Sequence, residues 1–215
     1  MYQLLPKGVG IHFTRAAIPD SITAETLTDL TNGLGPAAAL LLPDGSLDVI
    51  TYACTSGSLV VGEERVFHEL AKGAPKAIKT TLITSVMRAL NQIKAKRIVI
   101  ATPYLDEINL LEKAYMASRG FEILAIQGLQ LEKDSDMVNV TPDCILHFAQ
   151  SLDRVDADAI FISCGALRSI DIIEELERRT GKPVITSNQA MAWDVMRLAG
   201  IDDAVEGFGT LLRDY

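Results

Sequence analysis

The chain has 215 residues, of which 48% are hydrophobic and 22% are charged, so it can bury a core as one compact domain or two small lobes. Its net charge of -8, with no cluster of Lys and Arg, disfavours nucleic acids and anionic membranes as partners. No apolar stretch approaches the ~20 residues that span a bilayer, and the first residues lack the layout of a signal peptide. We therefore expect a cytoplasmic protein.

Apolar runs typical of strands alternate with helical patterns along the chain, as in a doubly wound α/β protein with parallel sheets. The predicted strands cover residues 9–13, 49–53, 80–83, 97–101, 121–126, 159–163 and 183–186. The predicted helices cover residues 105–119, 141–152 and 169–180. A last helix is predicted after Thr186, because its spacing to Gln189 is that of a capping box.

Two segments of the chain read as copies of one another. In each, a cysteine comes six residues after an aspartate, with a short apolar run between them: Asp48 and Cys54 in the first, Asp158 and Cys164 in the second. Such a run, followed by small polar residues, indicates a buried strand that ends at the start of a helix, on the carboxyl edge of a sheet. A duplicated fold with one thiol in each half would place the two thiols on either side of a cleft.

The repeat divides the chain into a first half at residues 1–95 and a second half at residues 96–215, and we leave open a return of the C-terminal helix, 187–215, to the first half. A strand of the second half begins 67 residues before Cys164, whereas only 53 residues precede Cys54. We therefore predict that the first half lacks its opening strand. The sheet edge near residues 9–13 would then be exposed, and we expect a homodimer contact to cover it.

The residues around the two cysteines suit thiol chemistry and the binding of a carboxylate. The positive end of a helix favours thiolate, so we expect a lowered pKa for each cysteine. Small or hydroxyl-bearing residues beside the thiols and at the ends of neighbouring strands can bind an oxyanion. These candidates are Thr55, Ser56, Gly165, Ala166, Thr84, Ser85, Tyr104, Ser187 and Asn188.

A lone cysteine at the end of a strand is more often a packing residue than a nucleophile. Two cysteines at equivalent places in a repeat favour a functional role for Cys54 and Cys164. Cys144 lies within a helical run without a turn or glycine beside it, so we predict that it only packs. The three cysteines have no CxxC or His-rich spacing, which argues against a disulfide framework and a metal site.

Nearly the whole chain resembles the aspartate/glutamate racemase superfamily. The resemblance is clearest in three motifs: Tyr52-Ala-Cys-Thr-Ser56, Ala101-Thr-Pro-Tyr-Leu105 and Ser163-Cys-Gly-Ala-Leu167. Within it, they resemble the branch of maleate cis-trans isomerases, arylmalonate decarboxylases and ectoine-utilisation proteins. Residues 54–62 and 183–190 are most similar to the ectoine-utilisation members. The resemblance implies two α/β halves related by a pseudo-twofold axis, no cofactor, and a small carboxylic acid bound between the halves.

By motif, the resemblance implies that Cys54 and Cys164 are the catalytic thiols, while Thr55, Ser56, Tyr104 and Gly165 hold the substrate carboxylate. Two thiols suit an isomerase or racemase, whereas the decarboxylases of this branch carry glycine at the place of Cys54. The alternatives are an arylmalonate-type decarboxylase and a catalytically inactive, ligand-binding member in ectoine utilisation. Asp134 takes the place of an asparagine that contacts substrate in maleate isomerases, and an acidic group there would repel a second carboxylate.

Overall fold

The computed structural model describes residues 1–17, 20, 23–42 and 45–215. Its strands are β1 (Val49–Tyr52), β2 (Ile78–Thr81), β3 (Arg97–Thr102), β4 (Glu122–Gly128), β5 (Ala159–Ile162) and β6 (Val184–Thr186). Its α-helices are α1 (Ala24–Leu30), α2 (Leu34–Ala39), α3 (Thr55–Val61), α4 (Glu63–Gly73), α5 (Leu82–Gln92), α6 (Asp106–Ser118), α7 (Asp134–Met137), α8 (Pro142–Ser151), α9 (Ile173–Thr180), α10 (Ser187–Leu198) and α11 (Thr210–Asp214). Short 3-10 helices lie at Tyr2–Leu4, Thr31–Gly33 and Ile170–Ile172.

The strands form two sheets in which every described pairing is parallel. One sheet contains β1 and β2, and the other has the order β4-β3-β5-β6. The four-stranded sheet grows outward from β3 in both directions, as in a doubly wound fold. All residues of β5 and β6 are buried, because helices cover both faces of a parallel sheet. The predicted α/β fold with parallel sheets is confirmed.

Side-chain caps fix the start of the helices that follow the strands. Thr81 accepts a hydrogen bond from the N–H of Thr84 at the start of α5. Thr186 and Gln189 form the predicted capping box at the start of α10. Each cap turns the chain from a strand directly into a helix. Because the pairing is parallel, the carboxyl end of β2 lies at the same edge as that of β1, and the carboxyl end of β6 at the same edge as that of β5.

Helix α10 ties the two sheets together. It follows β6 of the larger sheet. It packs against β1 of the smaller sheet and against α5, the helix that follows β2. The Asp194 carboxylate, 2% exposed, accepts hydrogen bonds of 2.8 Å from both Thr80 and Ser85 and forms an ion pair of 3.1 Å with Arg88. A satisfied buried carboxylate therefore lies at the contact between the sheets.

Two predicted strands differ from the structure. Residues 9–13 make no ladder of backbone hydrogen bonds with β1 and therefore form no strand. In the described ranges, no strand precedes Val49. The strand predicted at residues 80–83 ends at Thr81, because the Thr81 cap commits Leu82 and Ile83 to the first turn of α5. The other predicted strands are confirmed, with ends that differ by at most two residues.

None of the helices in the described part of the chain has the length and apolar character needed to cross a membrane.

Candidate active site

Cys54 is the N-cap residue of α3. It has extended backbone angles, and its Sγ accepts a hydrogen bond of 3.2 Å from the N–H of Gly57. The Ser56 hydroxyl lies 3.8 Å from the same sulfur. The half-buried Cys54 thiol therefore contacts the donors at the start of a helix, as the sequence predicts.

Tyr52, two residues before Cys54 on β1, places its buried phenol against the same thiol. An added Cβ at Gly57 would lie 2.4 Å from the Tyr52 hydroxyl and 2.9 Å from the Cys54 sulfur. The phenol, thiol and glycine thus fill one small volume. Tyr52 was not among the predicted site residues, although the alternation of side chains along a strand puts residues 52 and 54 on the same face.

Cys164 follows β5 and has a φ of 94°, a left-handed conformation that costs a non-glycine residue free energy. Its thiol is 6% exposed and accepts a hydrogen bond of 3.4 Å from the N–H of Ala166. The expectation that this cysteine also stands at a helix N-terminus is wrong. The positive φ turns the chain into a loop, and the next helical residue is Ile170.

A single hydroxyl joins the two cysteine segments. Ser187, at the start of α10, accepts a hydrogen bond of 3.1 Å from the N–H of Cys164, and its Oγ lies 3.0 Å from Thr55 Oγ1. The neighbouring Asn188 donates from Nδ2 to the carbonyl of Gly165 at 2.9 Å. These contacts bring the segments around the two thiols together at the carboxyl ends of β1, β5 and β6.

Tyr104 stands beside Cys164 as Tyr52 stands beside Cys54. It is 2% exposed, and its phenol hydrogen-bonds the Cys164 thiol. Its backbone is fixed by a hydrogen bond of 3.2 Å from its N–H to Thr102 Oγ1. Burial raises the pKa of the Tyr104 phenol well above its ordinary value, so it is a neutral donor near neutral pH.

The expectation of lowered thiol pKa values is wrong for both cysteines. Burial raises the pKa of Cys164 to about 12, and the hydrogen bonds from Tyr104 and Ala166 offset only part of that effect. Burial also raises the pKa of Cys54 despite its contacts with Gly57, Ser56 and Tyr52. A negative charge on Cys54 further raises the pKa of Cys164, so the two thiols sense one another. Without substrate, both are therefore protonated at neutral pH.

Asp134 adds a negative charge at this site. Its charge raises the pKa of both Cys54 and Cys164. The side chain is half-buried, and no described residue donates a hydrogen bond to its carboxylate. The Asp134 carboxylate therefore opposes a second negative charge near the two thiols.

Two other sequence candidates have hydroxyls that are occupied by partners within the fold. Ser85 is fully buried and donates to Asp194, and Thr84 donates to Glu63. Their hydroxyls support the helices around the site. Cys144 is exposed on α8, so it lies neither in the core nor beside the two thiols. The prediction that Cys144 packs is therefore wrong.

A cavity of about 570 Å³ runs beside Cys54. It lies between α2 and α10, along the edge of β1 that does not pair with β2, and residues 8–16 border it. Its apolar walls include Leu34, Ile50, Leu70 and Met191. The described residues contain no group of three or more His, Cys, Asp and Glu side chains that could hold a metal ion.

Residues 11–212 match the family of arylmalonate decarboxylases (Amdase). The arylmalonate decarboxylase of Bordetella bronchiseptica is 35% identical over 184 residues, which cover 83% of this chain and 72% of that protein. The maleate isomerase of Nocardia farcinica (strain IFM 10152) is 28% identical over 210 residues, which cover 94% of this chain and 83% of that protein.

Two solved structures share the fold closely. A cysteine-to-serine mutant of the Nocardia farcinica maleate cis-trans isomerase carries a covalently bound succinylcysteine intermediate. It is 25% identical, has a TM-score of 0.90, and the match covers 100% of this chain and 90% of that one. A liganded arylmalonate decarboxylase mutant, with one glycine changed to cysteine and one cysteine to serine, is 26% identical with a TM-score of 0.83. That match covers 91% of this chain and 85% of the other.

The predicted relationship to maleate isomerases and arylmalonate decarboxylases is confirmed, whereas the similarity to ectoine-utilisation proteins stays a prediction. The succinylcysteine intermediate supports cysteine catalysis in this group of proteins. With a match that spans residues 11–212, the chain belongs to the arylmalonate decarboxylase family.

Proposed function

We propose that the protein is a cofactor-independent isomerase that acts on a small carboxylic acid through Cys54 and Cys164. The observation that carries this proposal is the joining of two cysteine segments, one from each sheet, through the Ser187 hydroxyl. Two thiols on either side of a substrate can add and remove a group on opposite faces. The relatives named maleate isomerase support this class of reaction.

In this proposal the Cys54 thiol releases its proton to solvent and attacks as a thiolate, because Gly57, Ser56 and Tyr52 offer it three stabilising contacts, whereas Cys164 has two, from Tyr104 and Ala166. Its sulfur adds to an alkene carbon, and the double-bond electrons take a proton from the Cys164 thiol at the neighbouring carbon. The resulting single bond rotates. Return of that proton to Cys164 and cleavage of the carbon–sulfur bond then release the other isomer.

The same pair of thiols could racemise an amino acid. One thiolate would remove the proton next to the carboxylate, and the opposite thiol would return a proton to the other face. In either reaction the substrate carboxylate would bind the hydroxyls of Thr55 and Ser56 and the backbone N–H of Gly165. The Tyr104 hydroxyl and the Ala166 N–H donate to the Cys164 thiol, so they would bind the carboxylate in exchange for that contact. Neutral donors of this kind suit an acidic protein that binds an anion.

Decarboxylation of an arylmalonate is the second candidate function. The family match and the apolar cavity of about 570 Å³ beside Cys54 favour it, because such a cavity fits a bulky apolar substituent. This reaction would require a proton donor but no second thiol. We expect it to be the lesser activity, because a thiol stands on each side of the proposed site.

A substrate panel separates these reactions. The protein is incubated with maleate, with phenylmalonate and with amino acids in heavy water, and the products are followed by proton NMR. Formation of fumarate supports cis-trans isomerisation, exchange of the alpha proton supports racemisation, and phenylacetate supports decarboxylation. Turnover of phenylmalonate alone would replace the isomerase proposal with the decarboxylase one.

Asp134 gives a prediction about the second end of the substrate. Because its charge opposes another anion, Asp134→Asn should lower the KM for a dicarboxylate such as maleate by roughly three- to tenfold, the effect of removing one partly screened charge. The KM for a monocarboxylic acid with an ammonium group should rise instead. Equal changes for both substrates would contradict this role, and the exposed Asp143→Asn serves as the control.

A further inference from the structure

Helix α6 carries a buried carboxyl group that the proposed reaction does not use. Glu112 is 0% exposed, and neither of its carboxyl oxygens has a hydrogen-bond partner among the described residues. The other buried acidic residue of the described chain, Asp194, has three partners in Thr80, Ser85 and Arg88. An unpaired carboxyl in an apolar interior is far more stable with its proton than without it.

The inner face of α6 is held against the end of β3, close to the thiol site. Asn109, less than one turn before Glu112, accepts a hydrogen bond of 2.6 Å from Thr102 Oγ1 and donates to the carbonyl of Tyr104 at 3.5 Å. Side chains three residues apart lie on the same face of a helix. Glu112 therefore points toward the segment that carries Tyr104.

The Glu112 carboxyl lies against Ser163, the residue directly before Cys164 in the chain. The Ser163 hydroxyl is also fully buried and makes no well-formed hydrogen bond to any described residue. Contact with this hydroxyl lowers the pKa of Glu112, but burial has the larger effect and raises it to about 7. A charge on Glu112 also raises the pKa of Tyr104, whose phenol bonds the Cys164 thiol.

Among the described residues, no charged group of the elements packed around Glu112 neutralises its carboxyl. Residues 55–61 of α3 include no titratable side chain, and Glu122 of β4 is exposed. On α6 itself the other titratable groups are exposed or paired elsewhere: Asp106, Glu107 and Lys113 are exposed, and Tyr115 donates to Glu63. The titratable group of the site that Glu112 acts on directly is Tyr104. Its contact with Ser163 places the carboxyl beside the residue that precedes Cys164.

We propose that Glu112 is a positioning residue of the Cys164 side of the site, held there as a neutral carboxylic acid against Ser163. When it loses its proton to solvent, a negative charge appears behind Cys164, Tyr104 and the bound carboxylate. That charge opposes both thiolate formation at Cys164 and binding of an anionic substrate. The consequence for catalysis rests on the proposed function, whereas the effect on the Cys164 thiol does not.

The test measures the reactivity of Cys164 without any substrate. In a Cys54→Ser, Cys144→Ser background, Cys164 is the remaining thiol, and its alkylation by iodoacetamide is timed from about pH 6 to about pH 9. We expect Glu112→Gln to react at the parent rate near pH 6 and several-fold faster above about pH 8, because only the parent gains a charge there. A ratio that does not change with pH would overturn the proposal.

Glu107→Gln is the matched control, because it removes an exposed carboxylate from the same helix and should match the parent at every pH. Infrared spectra give a second readout near pH 6: a protonated carboxyl band should be present in the parent and in Glu107→Gln and absent from Glu112→Gln. Absence of the band from the parent would also overturn the proposal. Failure of the substrate panel, by contrast, would leave both readouts unchanged.

Stability gives a third readout with a defined sign. The folded-state pKa of Glu112 lies above its ordinary value of 4.5. The protonated carboxyl therefore adds its full contribution to the free energy of unfolding below pH 4.5, and this contribution is lost as the pH rises toward about 7. The urea midpoint of the parent should therefore fall relative to that of Glu112→Gln between about pH 4 and about pH 8. Parallel pH dependence of the two midpoints would contradict a buried titrating carboxyl.

Discussion

Gly57 packs tightly against the side chains of Tyr52 and Cys54. A methyl group there would come within 2.4 Å of the Tyr52 hydroxyl and 2.9 Å of the Cys54 sulfur, distances that require one of them to move. We expect Gly57→Ala to lower kcat/KM by roughly ten- to a hundredfold, because misplacement of a reacting group by about 1 Å has an effect of this size. Steady-state kinetics with the substrate identified by the panel measures it.

Gly33→Ala is the control for this substitution, because among the described residues its added methyl group meets just the Ala16 side chain, at 3.8 Å. It should leave kcat/KM unchanged. If Gly57→Ala is as active as Gly33→Ala, the packing of Tyr52 against Cys54 does not matter for the reaction.

The sequence predicted the positions of both thiols but did not predict their protonation states. The repeat of aspartate, apolar run and cysteine locates Cys54 and Cys164, because strand ends follow from hydrophobic pattern alone. The pKa of each thiol depends on burial, which comes from residues distant in the chain. Tyr52, although it begins one of the motifs, and Glu112, which stands in none, were missed as site residues for the same reason.

Among the elements, α10 links the sheets through Asp194, which bonds two hydroxyls and one guanidinium group. We expect Asp194→Ala to lower the free energy of unfolding by about 2 to 4 kcal/mol, because it leaves Thr80 and Ser85 buried without their acceptor. Arg88 is 43% exposed, so Arg88→Ala should have a smaller effect, within about 1 kcal/mol.

Urea denaturation of both variants measures the difference. Equal destabilisation by the two substitutions would mean that the ion pair, and not the buried hydroxyl contacts, holds α10 in place.

The strands and helices with strong local signals are those that the sequence predicted well. The capping box at Thr186 was found from spacing alone, because both of its partners are local. The second strand was placed two residues late, because the Thr81 cap has a weaker signature than the apolar run that follows it. Residues 9–13 have the composition of a strand but form none, because pairing depends on a neighbouring strand and not on composition.

For the molecule as a whole, one edge of β1 pairs with no strand among the described residues. Among the described residues β1 pairs only with β2, and its other edge borders the apolar cavity. Exposed strand edges beside apolar surface favour association, so we expect a homodimer at micromolar concentration. Sedimentation velocity tests this expectation, and a monomer at those concentrations would contradict it.

The joint action of Cys54 and Cys164, one from each sheet, is tested by serine substitution at each cysteine. On the reaction that the substrate panel identifies, Cys54→Ser and Cys164→Ser should each lower kcat by at least about a thousandfold, because the two thiols act as a unit. Cys144→Ser, at an exposed position on α8, should retain full activity. Full activity in either Cys54→Ser or Cys164→Ser would show that the reaction does not require both thiols.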